Sequence, residues 1–164
     1  MKTKIKKVSS LIISIFLLSS CWGGGGAMVF YNDDKKADAR LEQVIEAIKT
    51  NDKVALKRMF SEYVLDEATD IDERINYLFE FVQGDIEDWA LRGGSSPKSS
   101  NHGHIIKKLD FWYYVNTNIK QYLFTIVEYT AYTDNPEKIG LYSLMVTELD
   151  DEDLQFDGPG VYVP

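Results

Sequence analysis

Cysteine is almost missing, with one in 164 residues. A small exported domain stapled by disulfides needs several, so that class is excluded. Basic residues are also in deficit. There are 18 Lys and Arg against 26 Asp and Glu, a net charge of −8, which argues against an evident nucleic-acid binder. The apolar run 11–18 falls short of the roughly 20 residues that cross a hydrocarbon core. No nucleophile elbow, zinc-protease helix or dinucleotide fingerprint appears. The four glycines Gly23–Gly26 are no phosphate loop either, because no strand precedes them and no Lys-Ser/Thr follows. Apolar residues, in contrast, make up 45% of the chain and aromatics 13%, too many for a disordered protein. The length suits one domain.

Residues 1–20 stand apart from the rest. Lys2, Lys4, Lys6 and Lys7 precede a short apolar stretch and then small residues, the order of a secretory signal. The stretch ends in Leu18-Ser19-Ser20-Cys21, which resembles a bacterial lipobox. That resemblance implies a diacylglycerol on the Cys21 sulfur and cleavage between Ser20 and Cys21. Residues 21–33 then read as a lipidated Cys and a Gly-rich tether, and 34–164 as one folded domain. Without the four signal lysines, 14 basic residues face 26 acidic ones, a net −12. Anionic lipids repel such a domain, so acyl chains rather than charge would hold it at the membrane.

The pattern turns helical from Asp34. Ala37, Leu41, Val44, Ile45 and Ile48 share one helical face. Thr50-Asn51-Asp52 breaks the run and offers an N-cap for a second helix carrying Val54, Ala55, Leu56, Met59 and Phe60. Residues 61–69 fit helix or turn. A third helix is expected from about Asp70, with Ile71, Ile75, Leu78 and Val82 inward and a stop at Gly84. Residues 86–91 read as a short strand, and the Gly, Ser and Pro of 93–103 as a mobile loop. Three β-rich runs follow, 105–117, 122–132 and 139–149, separated by turn formers. The tail 158–164 is apolar enough to dock. The expected architecture is α+β: three N-terminal helices packed on a strongly curved, cone-like antiparallel sheet of about four strands that leaves a pocket.

The runs Leu41-Glu42-Gln43-Val44-Ile45, Met59-Phe60-Ser61, Tyr77-Leu78-Phe79, Tyr122-Leu123-Phe124, Asp134-Asn135-Pro136 and Gly140-Leu141-Tyr142 resemble an uncharacterised family of small bacterial lipoproteins, a domain of unknown function. The closing Pro159-Gly160-Val161-Tyr162-Val163-Pro164 belongs to the same resemblance, which covers roughly 34–164. It implies a nuclear-transport-factor-2-like, or cystatin-like, fold and supplies no catalytic residues.

Candidate chemistry is sparse. His102 and His104 could share one side of an extended chain, but no third metal ligand is specified, so they read as a solvated pair. The acidic clusters at 66–73 and 150–153 lack the calcium-loop spacing and read as caps and solvated faces. No metal and no cofactor is expected. The pocket residues expected are Trp89, Asp110, Trp112, Tyr114, Glu128 and Tyr142, with Tyr122 among the aromatics. Glu128 shares a strand face with Phe124 and Ile126, and Asp110 shares one with Trp112 and Tyr114. The sequence therefore points to a lipid-anchored, non-enzymatic binding or interaction domain on the extracytoplasmic face of the cell membrane. Its partner would be a small amphipathic ligand or an envelope protein, not nucleic acid. The alternative is an isomerase-like or hydrolase-like enzyme using Glu128 or Asp110 as a buried carboxylate.

Overall fold

The computed structural model describes residues 25–149 and 160–164. The expected signal at 1–20, the expected lipobox Cys21 and the acidic break at 150–153 lie outside the described residues. Four helices come first: α1 Gly25–Lys49, α2 Lys53–Lys57, α3 Glu62–Glu67 and α4 Ile71–Phe81. Six strands follow: β1 Ile86–Ser95, β2 Lys98–Asn101, β3 His104–Thr117, β4 Gln121–Tyr132, β5 Gly140–Leu149 and β6 Gly160–Val163. The described part of the expected tether is already helix, since α1 begins at Gly25.

Local chemistry explains the starts of two helices. The Asp52 side chain accepts from the Ala55 amide at 2.8 Å, satisfying one orphan N–H of α2. Ser61 does the same for α3 through the Val64 amide, so the segment that fitted helix or turn is a short helix of its own. Just before it, Phe60 bridges to Leu141 and ties the helical layer to the start of β5.

The sheet runs β1-β3-β4-β5-β6, with β2 also on the β3 edge, and neighbouring strands pair antiparallel throughout. The expected mobile loop at 93–103 is instead mostly strand. His102 and Gly103 both have positive φ, 47° and 90°, and link the paired Asn101 and His104. That is the backbone of a tight two-residue hairpin. At Gly94, facing Phe111 across the ladder, a Cβ would run into the Phe111 ring. Glycine there permits close backbone approach rather than looseness.

Two expectations are corrected. The sheet is open and not strongly curved, so the cone and the nuclear-transport-factor-2-like or cystatin-like fold do not hold. The described layers hold four helices rather than three, and six strands rather than about four. The physical reason is in the edges. Closure requires the outer strands to meet, but β1 with β2 forms one edge and β6 the other. Tyr113, Tyr122, Phe124, Ile126, Leu141 and Leu144 fill the face under the helices, meeting Leu41, Leu56, Ile75 and Leu78. Side chains thus occupy the space in which a cone would hold a ligand.

Candidate functional site

Strand alternation distributes the expected pocket residues over separate places. Trp89 pairs with Val115 on the helix-covered face and meets Tyr113 edge-on, with ring centroids 5.6 Å apart. It is core packing. Asp110, Trp112 and Tyr114 lie on the opposite face, half-buried. Lys108 Nζ lies 2.9 Å from the Asp110 carboxylate. The Arg92 guanidinium sits 5.5 Å from the Tyr114 ring centroid. Tyr122 is fully buried, its hydroxyl donating to the Phe81 carbonyl and accepting from the Gln83 amide. Glu128 faces the helices, and Tyr142 lies at an irregularity of β5. One shared pocket does not form.

Glu128 anchors one recess among the described residues. It is flanked by two bulges: Thr130 is the extra residue of β4 against β3, and Tyr142 that of β5 against β4. Bulges re-aim neighbouring side chains. Arg40 of α1 reaches this point, donating from Nε to Glu128 Oε2 at 2.9 Å and from Nη2 to Oε1 at 2.7 Å. Its Nη1 donates to Gln43 Oε1 at 2.7 Å. The Glu128 hydrogen bond raises the Arg40 pKa against the opposing effect of burial. Nearby, Lys107 pairs with the buried Asp33, and the Tyr113 hydroxyl donates to Asp38 at 3.0 Å. Burial pushes the Tyr113 phenol far above its ordinary range, and Asp38 and Asp34 add to the shift. A crevice of about 330 Å³ opens beside Arg40, Gln43, Glu128 and Thr130. The Thr130 hydroxyl is buried there without a hydrogen-bond partner.

This geometry does not present a general base. Both Glu128 oxygens accept from one guanidinium, a charge-assisted fork that a substrate would have to displace. Asp110 is turned to the other face and is also ion-paired. The two carboxylates cannot serve one reaction centre. His104 contacts Asp134, while His102 sits in the hairpin turn. Among the described residues, no group of three or more His, Cys, Asp or Glu could hold a metal.

The second recess is larger, a cleft of about 450 Å³ between α3, α4 and the β5–β6 side of the sheet. Tyr63 and Tyr142 contribute aromatic walls, Tyr162 lines it beside Arg74, and Glu67, Asp70 and Arg74 bring the charges. Tyr63 and Tyr142 are stacked at 6.3 Å with a 9° interplanar angle, and Tyr129 meets Tyr142 edge-on at 5.3 Å. Arg74 donates to Asp70 at 2.8 Å and to the Tyr162 carbonyl at 3.2 Å. Of the expected pocket residues, Tyr142 alone belongs to this cleft. Tyr63 and Arg74 carried no signal as site residues. Arg40 had one: it falls three residues after Ala37 and four before Val44, a cation on an apolar helical stripe.

These features define a helix-covered, open antiparallel sheet domain with surface recesses. Residues 43–149 match the family described as Domain of unknown function (DUF5104), and the chain belongs to that family. No curated protein matches the chain significantly.

Proposed function

We propose that this protein is a lipid-anchored component of the cell envelope whose folded domain binds a ligand rather than catalysing a reaction. The observation that carries the anchor is Leu18-Ser19-Ser20-Cys21, set directly after a basic start and a short apolar run. The chain's lone cysteine stands where lipidation requires a thiol. Binding is supported by the cleft at Tyr63, Tyr142 and Tyr162, which has the volume of a small-molecule site. The enzymatic alternative loses support because Glu128 and Asp110 are engaged by Arg40 and Lys108 on opposite faces. The ligand reading accordingly moves from the inside of a cone to a surface cleft.

Cys21→Ala tests the anchor. In the producing cell, the variant should remain at precursor length, take up no labelled fatty acid and leave the membrane fraction when the membranes are washed. A variant processed and retained like the parent overturns the reading.

A further inference from the structure

We infer that the crevice beside Arg40 and Glu128 is a binding site for a small monocarboxylate. It is a second site, separate from the cleft at Tyr63 and Tyr142, and does not depend on it. The argument starts from unused hydrogen-bond donors. A guanidinium has five N–H bonds, and Arg40 spends three of them, two on the Glu128 oxygens and one on Gln43 Oε1. Two remain. Because the Gln43 oxygen accepts, its amide nitrogen is left to donate. Lys36 lines the same crevice and has no ion-pair partner among the described residues. The Thr130 hydroxyl, on the bulged residue of β4, is buried in the wall with no partner at all. Such a group costs stability until an acceptor or a donor reaches it. The crevice therefore holds an excess of donors and asks its ligand for acceptor oxygens.

Charge and shape narrow the ligand further. Lys36 and Arg40 bring two positive charges to the lining and Glu128 one negative charge. One positive charge is left over, which a single carboxylate would balance. A doubly charged anion would exceed it and would also meet Glu128 and the chain's overall −8. Cations are disfavoured by Lys36, and the one carboxylate in the lining is already forked to Arg40. The ligand need not displace that fork, since the unused donors lie outside it. Ala39, Tyr129 and Ile139 supply an apolar flank, and Ile139 is 46% exposed, so an apolar body on the ligand would cover it. The volume of about 330 Å³ falls near the lower end of small-molecule sites, which suits a compact acid.

The test is titration of the full chain in detergent with sodium benzoate, followed by ¹H–¹⁵N NMR. Saturable shifts should centre on residues 39, 40, 43 and 130. Benzamide has the same shape without the charge and should bind at least tenfold more weakly. Thr130→Val removes the hydroxyl and keeps the branched shape. It should weaken benzoate about fivefold, the effect of one lost hydrogen bond. Lys36→Gln, a change at an exposed helix position that leaves packing alone, should weaken it about threefold. The assignment is overturned if benzoate does not saturate, if benzamide binds equally well, or if Thr130→Val and Lys36→Gln both bind like the parent. Saturable shifts centred on residues 63, 67 and 142 instead would overturn it too, while leaving the cleft as the binding site.

Discussion

In β3, Phe111, Tyr113 and Val115 are buried under the helices, while Trp112 and Tyr114, alternating with them, stay half-buried on the opposite face. The two sets are chemically alike and adjacent in sequence. What separates them is the layer above. On one face, α1, α2 and α4 contribute Leu41, Leu56, Ile75 and Leu78 to a continuous core. On the other, the strands' own neighbours provide the cover. Leu123, paired with Tyr114 and Thr147, is only 2% exposed there, but Met145 is 38% exposed and Tyr162 48%. An aromatic residue in a strand thus reports half-burial, and the element stacked on it decides whether it becomes core or surface.

The contrast between the faces can be broken directly. Phe124→Ala should cost about 3–5 kcal/mol, because the helices cannot collapse fully into the space it leaves. Trp112→Ala removes a larger side chain but should cost less, about 2–3 kcal/mol, since part of its surface already meets water. Urea denaturation of both variants measures the difference. Equal losses would mean that the second face is packed as tightly as the first.

A smaller effect is expected at the polar margin of the covered face. The Arg40 and Glu128 side chains are 20% and 12% exposed. Arg40→Met leaves the carboxylate without its guanidinium and should cost about 2–4 kcal/mol. The double variant Arg40→Met/Glu128→Leu removes both charges and should regain at least half of that loss. A double variant no more stable than the single one would show that the pair contributes more than mutual compensation.

The smallest effect concerns Tyr113, whose phenol is held above its ordinary pKa by burial and by the hydrogen bond to Asp38. The unfolded chain loses this proton near pH 10, the ordinary tyrosine value, while the folded chain retains it. The stabilisation is therefore complete below about pH 10 and declines as pH rises beyond it. Tyr113→Phe should cost about 1 kcal/mol at pH 8, from the lost hydrogen bond. It should also show a shallower loss between pH 10 and 11 than the parent. Parallel alkaline profiles in urea titrations would remove Tyr113 from this role.

Much of the local structure was legible. The stripe Ala37, Leu41, Val44, Ile45 and Ile48 lies on the buried side of α1 or is packed against the core, and Asp52 caps α2. The three long strands start and end within a residue of their apolar runs. One local reading failed and another stood open between two states, both for identifiable reasons. Glycine and serine at 93–103 suggested a loop, but Gly94 accommodates the Phe111 ring and His102-Gly103 form a hairpin turn. At 61–69 the sequence fitted two states, and the Ser61 cap resolved them. The candidate site was less legible, because its contacts join distant segments. Arg40 and Glu128 are 88 positions apart, and Tyr63 meets Tyr142 across the helical and sheet layers.

The sequence alone determined helical periods, caps and strand alternation, because each depends on residues within a few positions of one another. It also placed Glu128 with Phe124 and Ile126, and Asp110 with Trp112 and Tyr114, since alternation along a strand is local. Only the tertiary structure decided whether the sheet closes, which face the helices cover and which tyrosines meet. Those outcomes depend on strand edges, bulges and layers whose contacts span the chain. No short stretch of sequence carries enough of them to choose between a cone with a cavity and an open sheet with a cleft at its side.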